Sequence, residues 1–228
     1  MNRPGGSALT TTSAAVIEAA RDFVASEGRA VLDIPHQIDE TFVQTADLLL
    51  HTTGKVVVTG AGTSGFVARR AAHLLAVCGT PAFFLNPTDA LHGSLAALSP
   101  ADVLIALSKG GSSEEVNNLA ARLRHQGVRV VALTFNAAST LAANADIAVT
   151  LRPFAEADPG GLIAMGSTLA HSAWLDALAL VLMRARQYSW EKVHYSHPGG
   201  VVGAATTLPA PVEPLEIPQL NGGRSERR

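Results

Sequence analysis

Five short runs rich in Val, Leu, Ile, Ala and Phe recur along the chain, at residues 55–59, 82–85, 103–107, 128–133 and 147–151. Between most of them lie stretches whose apolar residues return every three or four positions. Residues 103–107 read Val-Leu-Ile-Ala-Leu, apolar at every position, so a strand there has to be covered on both faces. Strands of this kind alternating with helices build a parallel sheet with helices on each side. Their connections are expected to be right-handed.

The helical pattern predicts a first segment over 13–50, broken near Pro35, whose ring removes a donor and clashes with the preceding turn. Its apolar positions include Val16, Phe23 and Val24, then Phe42, Ala46 and Leu49. Further helices are predicted over 64–78, with Gly79 at the end, over 113–125, closed by Gly127, over 138–143 and over 167–186. Residues 1–12 read as a disordered lead, 13–204 as the domain with its N-terminal helical segment, and 205–228 as an extended or disordered tail rich in Pro and Gly.

At 228 residues and 47% hydrophobic content the chain can bury one large core. Aromatics make up only 5%, so Ala, Leu and Val fill the interior, which favours helix-on-sheet packing over a β-sandwich. Net charge is −2 with no basic stripe, and no nucleic-acid partner is expected. Cys78 is the single cysteine, so a disulfide framework or a cysteine zinc site is excluded. It reads as a small core residue on a helix. The start of the chain lacks an apolar leader. The longest apolar run, 177–183, falls well short of the roughly 20 residues of a membrane span. No membrane partner and a cytoplasmic location are the expectations.

Two loops carry the chemistry. Residues 60–65, Gly-Ala-Gly-Thr-Ser-Gly, follow the first strand and open a helix. Glycines there let the backbone approach a phosphate, and a helix N-terminus offers N–H groups and partial positive charge. The same pattern serves dinucleotide folds, which also place an acidic residue at the end of the next strand. Here that strand ends Leu85-Asn86-Pro87, with Asp89 only in the loop beyond, which weighs against a nucleotide. Thr63 and Ser64 add hydroxyls suited to a phosphate monoester. The second loop, residues 108–113, offers Ser108, Lys109, Gly111, Ser112 and Ser113 after the third strand. Ser113 alone reads as a helix N-cap. Two such loops in one sheet point to an anion site.

On these stretches, with residues 79–84, 90–93, 113–115 and 196–200, the chain resembles the SIS (sugar isomerase) domain family, within it the arabinose-5-phosphate isomerase group. The order and spacing hold from about residue 15 to residue 203. The resemblance implies a three-layer α-β-α sandwich around a five-stranded parallel sheet, flavodoxin-like, as a homodimer or homotetramer, with no cofactor. It implies catalytic groups at Glu115, Glu156 and His197, with His92 in the Ala-x-His-Gly segment. Phosphate-holding positions fall on Gly62, Thr63, Ser64, Ser108, Gly111, Ser112 and Ser113, with Ser167 and Thr168 at the start of the last long helix. The family's catalytic lysine in the first loop is here Thr63, and its Ser-Asn-Ser-Gly-Glu loop is Ser108-Lys109-Gly110-Gly111-Ser112. Lys109 is one candidate for the missing positive charge; a solvated side chain is the other reading. Many members carry paired CBS modules after this domain, for which the sequence has no room.

Aldose–ketose isomerisation moves a proton between adjacent carbons through an enediol. It requires a base and an acid working near neutral pH. Glu156, where the fifth strand gives way to a loop, is the leading base, Glu115 a second acid/base or orienting group, and His197 the ring-opening or relay group. The plainer readings are a solvated loop acid, a helix-dipole partner and a backbone-bonded histidine. Glu191, His194 and His197 recur at intervals of three, but no further ligand cluster accompanies them, so no metal is expected. The alternative function is a non-catalytic sugar-phosphate sensor: the two glutamates and His197 speak against it, and the missing lysine speaks for it.

Overall fold

The computed structural model describes residues 12–220. The expected lead falls outside them except for Thr12, and so do residues 221–228 of the tail. In chain order the elements are α1 (Ser13–Leu32), α2 (Glu40–His51), β1 (Val56–Gly60), α3 (Gly62–Val77), β2 (Ala82–Phe84), α4 (Pro87–Leu91), β3 (Val103–Leu107), α5 (Glu114–His125), β4 (Arg129–Thr134), α6 (Thr140–Ala143), β5 (Ile147–Thr150), α7 (Gly166–Ala185), α8 (Trp190–Ser196) and α9 (Gly200–Gly203). Pro35 lies in a 3-10 turn, Ile34–Gln37, that separates α1 from α2. The Thr12 hydroxyl caps α1 by accepting from the Ala15 amide at 3.2 Å, and Asp39 caps α2 by accepting from Thr41 N at 2.9 Å. Three short helices, α4, α8 and α9, are absent from the sequence-based prediction. They span five, seven and four residues, too short for a periodicity to register.

The five strands form one parallel sheet in the order β2-β1-β3-β4-β5. This is the expected α/β sandwich. Alternate side chains along each strand enter different cores. Val56, Val58, Ile105, Leu107 and Leu133 pack with Leu49 of α2, Leu75 of α3 and Trp174 and Leu178 of α7. Val57, Leu104, Ala106 and Val130 pack on the other face with Leu119 and Leu123 of α5, Leu141 of α6 and Ala90 of α4. Each fully buried Leu contributes about 1.5–3 kcal/mol of transfer free energy. Helix α1 lies outside this sandwich, against α7. Helix α7 has the length and apolar content of a membrane span, yet Trp174, Leu175, Leu178 and Leu182 bury it in the first core.

The starts of β1 and β3 are tied together by Asp102. Its buried carboxylate accepts from the amides of Lys55 and Ser99 at 2.6 and 2.8 Å and from Lys55 Nζ at 3.1 Å. Burial alone would raise this carboxyl; the donors outweigh it and hold it below the usual carboxylate range. Residues 205–220 contain no helix or strand and run as a strap over the domain. Trp190 Nε1 donates to Ala210 O at 2.8 Å, Arg184 Nε to Glu213 O at 2.7 Å, and the Leu220 amide to Asp47 Oδ2 at 3.2 Å.

Gly60 and Leu107 are register partners at the ends of β1 and β3. The chain leaves them side by side, then diverges. Helix α3 turns onto the first face and α5 onto the second. Such a point of divergence leaves a crevice beyond the carboxyl ends of the strands.

Candidate active site

A cleft of about 350 Å³ opens at that end, over β1 and β2. One wall is a stripe of α3 at helical spacing, Gly62, Gly65, Phe66 and Arg69. The opposite wall is Phe84 at the end of β2 with Asn86, Pro87 and Thr88 at the start of α4. Glu115 enters from the first turn of α5. Gly65 is required where it stands: a Cβ there would approach Gly60 O to 2.8 Å, so the turn closes only without a side chain. No side chain caps α3, whose cap position is Ala61 and whose first turn has no acidic residue. Its leading N–H groups therefore meet no capping side chain or nearby carboxylate.

The expected site residues divide into three sets. Gly62 and Glu115 line the cleft, and Thr63 follows Gly62 with its side chain exposed. Ser64 is buried on the core side of the turn. In the second loop, Ser108 Oγ lies 3.2 Å from Ser113 Oγ and accepts from Gly111 N at 3.1 Å, so these hydroxyls brace the loop itself. Gly111, at φ +66°, holds a left-handed turn, and a Cβ there would collide with Ser139 Oγ. Ser112 is exposed.

Lys109 departs from its expected part as the ligand's cation. Its ammonium is 2.7 Å from Asp158 Oδ2 and donates to Gly161 O at 2.8 Å. Asp158 also accepts from Met165 N at 2.8 Å and Ser167 N at 3.0 Å at the start of α7. Burial alone would raise this carboxyl, but the bonds from Lys109, Ser167 and Met165 prevail and hold it below the usual range. Ser167 is buried here, and Thr168 turns its hydroxyl back to Met165 O at 2.6 Å. This ion pair binds the second loop to the segment that carries Glu156.

Glu156 sits in the 3-10 turn Ala155–Ala157, 73% exposed, with Arg29 NH2 of α1 at 3.4 Å. His197 closes α8, with Nδ1 2.9 Å from Val193 O and 3.1 Å from Ser196 Oγ. His92 is the exposed cap of α4. Within one protomer none of these three lines the cleft with Glu115.

The sequence reading missed Arg69 and Phe84. The guanidinium lies over the Phe84 ring at 4.5 Å from its centroid. Helical spacing from Gly62 and Gly65 was the signal for Arg69; its partner on β2 was not readable. It also missed His171 on the buried face of α7, stacked on Phe135 at 4.6 Å. Burial pushes that imidazole down to about 3, against the opposing charge of Asp158, and its Nε2 has no partner among the described residues. No three His, Cys, Asp or Glu side chains among the described residues gather as a metal set.

The arrangement is a polar cleft with one carboxylate, one arginine and an uncapped helix start, suited to an anionic polyol. Comparison with known proteins agrees. The SIS domain model matches residues 48–181. Arabinose 5-phosphate isomerase KdsD of Escherichia coli (strain K12) is 36% identical over 191 residues, 84% of this chain and 58% of that protein. Arabinose 5-phosphate isomerase KpsF of Escherichia coli is 35% identical over 189 residues, 82% of this chain and 60% of that protein. The chain thus spans somewhat under two thirds of the length of these relatives. Among solved structures, Escherichia coli CFT073 c3406 in complex with a phosphosugar superposes with a TM-score of 0.79 at 30% identity, over 82% of this chain and all of that one.

Proposed function

The chain belongs to the SIS domain family, and from that premise we propose that it is a phosphosugar aldose–ketose isomerase of the arabinose-5-phosphate isomerase type, working through an enediol. The observation that carries the reading is Glu115 in the same cleft as the β1–α3 turn. The turn receives the phosphate on uncapped backbone N–H groups. Glu115 moves the proton between the two carbons or orients the group that does. Relatives named as arabinose 5-phosphate isomerases, at 35–36% identity, support the same chemistry.

Glu156 and His197 complete the set when copies of the chain assemble, as a homodimer or homotetramer. In support, the segment around His197 exposes Tyr195 and Val201 almost fully, and Leu162 near Glu156 is equally bare. A cytoplasmic location suits a phosphorylated metabolite, and α7 is a core helix.

The test is incubation of arabinose 5-phosphate with the protein in heavy water, followed by NMR. The expected result is a ketose phosphate, with deuterium entering at the carbon next to the carbonyl. Binding of the sugar phosphate with neither exchange nor ketose would replace this reading with the sensor, the function to which Thr63 in place of lysine belongs.

A further inference from the structure

The cleft holds a cation and a carboxylate that do not neutralise one another. Arg69 lines it from α3 and Glu115 from α5, and among the described residues Arg69 forms no ion pair and no hydrogen bond. Its neighbours in charge are already committed. Arg70 grips Asp176 with two bonds of 2.6 and 2.9 Å, and Lys109 is held by Asp158 and Gly161 O. Stacking on Phe84 fixes the plane of the Arg69 guanidinium while leaving its N–H edges free. A planar fork of donors in that setting matches two phosphate oxygens at once.

We propose that Arg69, held flat by Phe84, is the residue that binds the phosphate of the substrate and supplies the positive charge that Thr63 lacks. The assignment rests on the sugar-phosphate reading of the cleft and adds a direction to it. The phosphate lies toward Arg69 and the reacting carbons lie toward Glu115. Both groups come from one protomer, so phosphate recognition does not wait for a neighbouring copy. Phe84 acts as a positioning residue, through the arginine.

The experiment measures dissociation constants of inorganic phosphate, arabinose 5-phosphate and unphosphorylated arabinose by calorimetry on the full chain. It compares wild type with Arg69→Met, Arg69→Lys and Arg70→Met, and follows turnover in parallel. Loss of a charge-assisted bidentate contact is expected to weaken both phosphate ligands about 10- to 100-fold in Arg69→Met. Arg69→Lys recovers part of that, and Arg70→Met recovers wild-type affinity because Arg70 serves Asp176 instead. Melting temperatures report folding independently, and the Met side chain keeps the contact with Phe84. Phosphate affinity in Arg69→Met within threefold of wild type overturns the proposal. So does a wild-type protein that binds neither phosphate ligand. Wild-type binding without turnover, abolished in Arg69→Met, upholds Arg69 while defeating the isomerase reading, so the two fail separately.

Discussion

Lys109 Nζ lies 2.7 Å from Asp158 Oδ2, and this pair joins the loop after β3 to the segment between β5 and α7. The Asp158 side chain is 5% exposed, so its charge depends on the lysine and on the two amides of α7. Removing one partner of a buried pair leaves an uncompensated charge, at a cost of roughly 3–5 kcal/mol. Lys109→Met is therefore expected to destabilise more than Asp158→Asn, which keeps an acceptor for the amides. A double-mutant cycle by urea denaturation should show a coupling of about 1–3 kcal/mol. Strict additivity would mean that the pair is not formed in solution.

Catalytic loss should separate the two glutamates from their neighbours. Glu115→Gln is expected to lower kcat by about 100-fold or more, the usual scale of a lost acid/base group, with KM for the sugar phosphate near wild type. Steady-state kinetics checks this. Glu156→Gln should lower kcat similarly if Glu156 meets the cleft of a second copy, and dilution to monomer should then lower wild-type activity in parallel.

His171 makes stability depend on pH. Its folded value of about 3 lies below the unfolded value of 6.5, so between them the unfolded chain binds the extra proton. Stability is therefore full above about pH 6.5 and falls as pH drops toward 3, by an amount on the order of 4–5 kcal/mol if the shift is realised in full. Asp158, whose carboxyl is depressed, adds a further loss only below about pH 4. Thermal melts of His171→Leu between pH 5 and 7.5 should show a visibly flatter dependence than wild type. An equally steep wild-type and variant profile would assign the effect elsewhere.

Two adjacent glycines should respond in opposite ways. Gly111→Ala imposes both a left-handed conformation and a clash with Ser139, for a loss of about 2 kcal/mol or more. Gly110→Ala meets only Ser112 Oγ at 3.5 Å and should change stability by no more than about 1 kcal/mol. Chemical denaturation of the pair of variants tests the loop geometry directly.

The sheet was legible because each of its strands is a compact apolar run, and Gly60 to Gly65 was legible because a strand, a glycine turn and a helix sit together in the chain. Contacts between distant segments were not. Lys109 and Asp158 are 49 positions apart and each reads as a loop residue. Arg69 looks like one more exposed helical arginine until β2 delivers Phe84 beneath it. Glu156 showed the opposite limit: a motif names its position, but within the protomer its carboxylate faces Arg29 and solvent.

Phe42 of α2 meets Trp174 of α7 edge to face, at 5.1 Å between ring centroids, across 132 positions of chain. The first core is thus completed by one of the last elements to be synthesised. Until residues 166–185 leave the ribosome, α2, α3 and one face of the sheet have no lid over Leu49 and Leu75. The face built from α4, α5 and α6 closes on segments no later than residue 145. Folding should accordingly proceed from the second core to the first, with a sticky, half-covered sheet as the intermediate that a nascent chain must carry safely.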